Sequence, residues 1–165
     1  MDCSGKIQVA FYKGTHAIKL SGDIRLNLCT GLEQYLDDIL AVPNFSNVVI
    51  DLSQAKAIDS TTLGQLAKIS ILCRERYQLT PTIFSPIPGI TRLLLSMGFD
   101  QVFHILREPF TNEVTFEEWA AEAMDEEEGR LQVIEAHRIL MSLNDKNKSE
   151  FHELVHSLES ESHNH

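Results

Sequence analysis

Asp59, Ser60, Thr61 and Thr62 place one carboxylate and three hydroxyls in four consecutive positions. Oxygens of this kind open helices, because they accept hydrogen bonds from backbone N–H groups that lack an intrahelical partner. Asp59 and Ser60 are both good caps, so a helix is expected to begin there. A serine hydroxyl at the positive end of a helix sits where an added phosphate is stabilised. As a plain cap the same serine is worth on the order of 1 kcal/mol, and most serine caps do nothing more. The two roles are compatible.

Other residues invite other chemistry. His16, His104, His137, His152 and His156 suggest metal binding, and His152 and His156 stand i, i+4 on one helix face. No third ligand has a fitting spacing, so a solvated helix face is the simpler reading. A Gly-rich phosphate loop and Gly-x-Ser-x-Gly are both absent from the sequence. Paired carboxylates occur only in acidic runs. The expectation is a protein that is not an enzyme, with no catalytic residue, cofactor or metal.

The elements that position Ser60 follow from periodicity. Val48-Val49-Ile50-Asp51-Leu52 is a short β-branched run, expected to be a strand buried on both faces. A polar connection leads from it to Ser60. The helix after it should reach about Arg76, with Leu66, Ile69, Cys73 and Tyr77 as its buried stripe and Leu63, Ala67 and Ile71 widening it. Upstream, Ile7–Tyr12 and Ala17–Leu20 alternate weakly, which predicts an antiparallel pair turning at Gly14-Thr15 and ended by Ser21-Gly22-Asp23. Leu28, Leu32, Tyr35, Leu36 and Ile39 share a helical face, with Asn27 or Thr30 as cap and Pro43-Asn44 as stop. Downstream, Thr82–Phe84 reads as a strand. Ile90, Leu93, Leu94 and Met97 form a helical face, with Pro88 in the first turn and Gly98 as a left-handed cap. Val102–Leu106 is expected as the last strand. This order predicts an α/β fold, a small mixed sheet with helices packed on one face.

Charge divides the chain. Residues 1–110 carry ten basic and ten acidic side chains, whereas residues 111–165 carry four and fourteen, so the whole net charge of −10 lies in the tail. That asymmetry argues against nucleic acid as a partner. The longest apolar runs are too short to span a membrane and no signal peptide is evident, so neither membrane insertion nor export is expected. Cys3, Cys29 and Cys73 have no metal or redox spacing and are expected as free thiols in a reducing cytoplasm. In the tail, three apolar stripes predict helices: Phe116 with Trp119, Ala120, Ala123 and Met124; Val133 with Ala136, Leu140 and Leu143; Phe151 with Leu154, Val155 and Leu158. Asp125–Gly129 reads as a polar break and Asn144–Asn147 as a loop. Such stripes must bury something, by docking on the rest of the chain, by pairing with each other, or in a groove or dimer.

A strand of the form Val-Val-Ile-Asp-Leu, followed by Asp59-Ser60-Thr61 and Leu63-Gly64 opening a helix, resembles the STAS domain of bacterial anti-sigma-factor antagonists. The likeness runs from about Ile7 to Leu106, within residues 1–108, and leaves residues 109–165 as an acidic amphipathic helical extension. The resemblance implies phosphorylation of Ser60 by a serine kinase of the histidine-kinase-like ATPase type that doubles as anti-sigma factor, and dephosphorylation by a serine phosphatase. It also implies that Asp23, Asp59, Thr61, Thr62 and Gly64 surround the phosphosite and meet the partner, with Gly22-Asp23 matching a Gly-acidic loop. Asp23 also fits an ordinary turn residue. Thr62 stands where the family commonly has glycine. The expected function is release of a sigma factor by partner switching. Two other readings keep the fold: an adaptor subunit of a membrane transport complex, and a regulator of another target. A third makes the acidic tail the regulator, covering the Ser60 surface or recruiting a basic partner.

Overall fold

A computed structural model describes residues 5–25, 28–41, 44–108, 115–119 and 125–162. Six strands form one mixed sheet: β1 (Lys6–Tyr12), β2 (Thr15–Ile24), β3 (Asn47–Ile58), β4 (Thr82–Phe84), β5 (His104–Leu106) and β6 (Glu117–Trp119). Among the described residues five α-helices accompany them: α1 (Cys29–Ala41), α2 (Ser60–Tyr77), α3 (Pro88–Ser96), α4 (Glu126–Leu143) and α5 (Asp145–Ser162). The sheet order is β5-β4-β3-β2-β1-β6, with β2 to β5 parallel and β1 antiparallel to both of its neighbours. Each parallel step is bridged by a helix, as parallel neighbours require. This is the expected α/β architecture, with helices in the C-terminal extension.

Register explains which face carries the core. Ile7, Val9, Ile18, Leu20, Val48, Ile50, Leu52 and Ile83 share one face and are buried. They form one cluster with Leu32, Leu36, Ile39, Leu63, Leu66 and Leu94 from the helices. The opposite face aligns Gln8, Lys19 and Asp51, all half-buried, beside the buried Val49. β3 is therefore buried on one face and only in part on the other. The run misled because Val49 is apolar on the polar side.

Several boundaries differ from expectation. β3 runs unbroken to Ile58, because the supposed polar connection pairs with the end of β2. Gly22-Asp23 does not end β2. The strand passes through it with a register shift, and Gly22 takes φ 80°, a left-handed conformation suited to glycine. Lys13-Gly14, rather than Gly14-Thr15, makes the hairpin turn. α1 buries Leu32, Tyr35, Leu36 and Ile39 as expected, and Leu28, just ahead of the helix, is buried with them. Thr30 lies inside α1 rather than at its cap, while Asn27 and Pro43 fall outside the described residues. In α2, Ile71 is only half-buried. Pro88 does begin α3, and Gly98 is left-handed at φ 83°. β5 is shorter than expected, since Phe99–Gln101 forms a 3-10 turn before it.

The tail departs most. Phe116–Met124 is not one helical stripe, because Glu117–Trp119 is the strand β6, pairing Trp119 with Ile7. The sheet edge offered backbone partners that no side-chain period reports. Ala120, Ala123 and Met124 lie outside the described residues, as does Cys3, and the Cys29 side chain is not among those described. Asp125–Gly129 is no break: Asp125 accepts from the Glu128 N–H at 2.8 Å and caps α4. Asn144 alone separates α4 from α5, and caps α5 by accepting from the Asn147 N–H at 2.8 Å. Leu154 is exposed, whereas Phe151 and Val155 are buried.

The α4–α5 hairpin packs on α2 through α4. Leu140 and Phe151 join the main core cluster. Asn147, fully buried, donates to the carbonyls of Met97 at 2.8 Å and Leu140 at 2.9 Å. It thereby satisfies a carbonyl at the C-terminal end of α3 while pinning the hairpin to it.

Candidate functional site: the N-terminus of α2

β3 delivers the chain directly into α2. The Asp59 N–H donates to the Ile24 carbonyl at 3.0 Å, which ties the helix entry to the end of β2. Asp59 Oδ1 accepts from the Thr62 N–H at 2.8 Å, so Asp59 is the N-cap. Ser60 is then the first helical residue, and its hydroxyl is not used for capping. Thr61 and Thr62 point inward and are buried, Thr62 completely. Ser60, half-buried, is the more accessible of the three hydroxyls.

Asp23 reaches the same corner through the backbone, paired in register with Ala57. Its carboxylate engages the exposed Arg25 guanidinium at 2.9 Å on the surface. The residue therefore lies at the site's edge, inside a strand rather than in a turn.

The hydroxyl of Ser60 lies 2.6 Å from Nε2 of His137, on α4. Nδ1 of His137 lies 2.7 Å from the Val133 carbonyl. A carbonyl only accepts, so Nδ1 carries a proton. In the neutral imidazole Nε2 is then the acceptor, and the Ser60 O–H donates to it. The ring is buried and packs edge-on against Phe151, with centroids 5.0 Å apart.

Gly64 lies one turn after Ser60. An ideal Cβ built there would stand 2.3 Å from the Ala136 carbonyl oxygen and 2.5 Å from the Ala136 Cβ. Glycine is thus what lets the α4 backbone reach α2. Beside it, Gln65 donates to Gln132 at 2.6 Å, and Gln132 donates to Glu33 of α1 at 2.5 Å. Lys68 meets Glu135 at 2.6 Å and Glu33 at 3.6 Å. Burial pulls the Lys68 ammonium down, but the two carboxylates outweigh it, and its pKa is raised overall.

The structure thus gathers Asp59, Ser60, Thr61, Thr62 and Gly64 at one helix end, with Asp23 beside them. His137 joins them from 77 residues away. Its sequence signal was its place next to Ala136 on the edge of an apolar stripe, where a buried imidazole needs a partner. His152 and His156 stack on the exposed side of α5 at 6.4 Å between centroids. Among the described residues no group of three His, Cys, Asp or Glu is placed to hold a metal ion, and no helix is long and apolar enough to cross a membrane.

A crystal structure of an anti-sigma factor antagonist from Mycobacterium paratuberculosis is similar, with a TM-score of 0.53 and 22% identity over 66% of this chain and 90% of that one. At that identity the likeness speaks to the fold. No curated protein matches the chain. The family model described as Mlab, STAS domain matches residues 7–108, from the start of β1 to just past β5, and so spans the whole frame that holds Ser60. On that match the chain belongs to the STAS domain family.

Proposed function

We propose that this protein is an anti-sigma-factor antagonist that works by binding a protein partner rather than by catalysis, and that Ser60 is the switch. The partner is a serine kinase of the histidine-kinase-like ATPase type that also holds a sigma factor. A serine phosphatase resets the switch. Residues 1–108 carry the switch and residues 109–165 form an appended acidic segment, with the whole acting in the cytoplasm. The observation that carries the reading is the division of labour at α2: Asp59 does the capping, so the Ser60 hydroxyl at the positive end of the helix has no capping role and bonds only across to His137. The membership of the chain in the STAS family, and its likeness to the Mycobacterium anti-sigma factor antagonist, support the same role.

Phosphorylation adds close to two negative charges beside Asp59. The helix end can hold them without a change in the fold of residues 1–108. A fitted interface cannot, because bulk and unpaired charge cost several kcal/mol, or tenfold to a thousandfold in affinity.

The test is phosphopeptide mapping of the protein from its native cells, growing and stressed, together with capture of partners by wild type, Ser60→Ala and Ser60→Asp. The expected result is condition-dependent phosphate on Ser60, retention of the kinase partner by Ser60→Ala and its loss by Ser60→Asp. Ser60 unmodified under every condition, or equal capture by all three proteins, overturns the reading.

A further inference from the structure

Ser60, Gly64 and Lys68 recur every four residues and so line one face of α2, with Gln65 alongside. α4 covers that face. His137 meets Ser60, Ala136 meets Gly64, Gln132 meets Gln65 and Glu135 meets Lys68. A phosphoryl group on Ser60 needs room for a phosphorus and three oxygens beyond Oγ. The imidazole of His137 stands 2.6 Å from Oγ, inside the space that a phosphoryl group on that oxygen would take. The ring has no retreat while α4 is docked: it is 2% exposed, held at Nδ1 by the Val133 carbonyl and backed by Phe151. Charge works in the same direction, since residues 125–162 carry ten acidic and four basic side chains, which a phosphate dianion would repel.

We propose that the α4–α5 hairpin is a built-in occupant of the α2 face, and that its docking and a phosphate on Ser60 exclude each other. In the docked form His137 latches Ser60 shut, and α2 is closed to a kinase or any other protein. Transfer of the γ-phosphoryl group from ATP on the kinase to Ser60 Oγ, with ADP leaving and the hydroxyl proton lost, takes place on the undocked form, and the phosphate then keeps α4 away. The hairpin stays attached at the C-terminal end of α3, through Asn147 and through Lys146, which donates to the Ser96 carbonyl at 3.2 Å. The proposal rests on Ser60 as the phosphate acceptor, as argued above.

The experiment needs no kinase. Phosphoserine is incorporated at position 60 of the full-length chain during translation, and amide hydrogen exchange is compared with the unmodified chain and with Ala136→Glu. Ala136→Glu drives a carboxylate into the Gly64 contact and leaves the α2 face itself intact. Exchange of α4 amides, and of amides in the first two turns of α2, is expected to rise at least tenfold in both altered proteins, with β2 and β3 amides unchanged. If Ala136→Glu also loses β3 protection, Glu135→Lys, which sets like charges against Lys68, takes its place. Wild-type protection of α4 in the phosphoserine protein overturns the proposal. Phosphate found on Ser60 in cells alongside that result leaves the functional reading standing. An opened hairpin with Ser60 never modified in cells does the reverse.

Discussion

Gly64→Ala separates the stability of the domain from the docking of its hairpin. A methyl at position 64 would lie about 1 Å inside ordinary van der Waals distance of the Ala136 carbonyl oxygen. That oxygen belongs to backbone, so no side-chain rotation relieves the contact. α4 must move as a unit. Overpacking of this kind costs about 1–3 kcal/mol. Alanine also favours the helix over glycine by about 0.5–1 kcal/mol, and that gain is present whether or not α4 is docked. The gain therefore cancels from the docking equilibrium. The opening constant of the hairpin should rise by the full overpacking cost, about 5- to 150-fold. Overall stability, in contrast, should change by between almost nothing and a loss of about 2.5 kcal/mol. Hydrogen exchange of α4 amides reads the first quantity and urea unfolding the second. Unchanged α4 protection with a protein about 0.5–1 kcal/mol more stable would refute the reasoning, because only the propensity effect would then be present.

Three further outcomes test other parts of the structure. Asp59→Ala removes the oxygen that accepts from the Thr62 N–H, and should cost about 1 kcal/mol in urea unfolding, with Asp59→Asn recovering most of it. His16 sits against Phe11 and Phe45 with Nδ1 3.0 Å from the Tyr35 hydroxyl, and burial holds its pKa below the usual 6.5. The unfolded chain then binds the proton more readily, so the contribution of His16 is full above pH 6.5 and is lost as pH falls below it. The stability gap between wild type and His16→Gln should shrink between pH 8 and pH 5, and a constant gap would count against this. Burial pushes the Cys73 thiol up to about 11, so it should resist iodoacetamide at pH 8 until the protein unfolds; fast native alkylation would contradict its place in the core.

Much of the fold could be read from local pattern. The strand Val48–Leu52, the stripe of α1, Pro88 at the head of α3 and Gly98 behind it each obey a rule carried by neighbours in sequence. So does the start of α2, since a cap and a helix end are local events. Other features depend on partners that are distant along the chain. β6 exists because the free edge of β1 takes it, although its residues were expected in a helix. Gly22-Asp23 stays in β2 because β3 pairs across it.

Local order of residues is enough to place a serine at the positive end of a buried helix, followed by an acidic segment with apolar stripes. Capping and amphipathic period act over a few residues, so the order of residues suffices. What those stripes cover is a matter of long-range packing. The meeting of His137 with Ser60, and of Ala136 with Gly64, depends on how two helices far apart in sequence cross in space. No local period encodes that crossing, because it is set by the summed packing of α1, α2, α3 and the hairpin around one core.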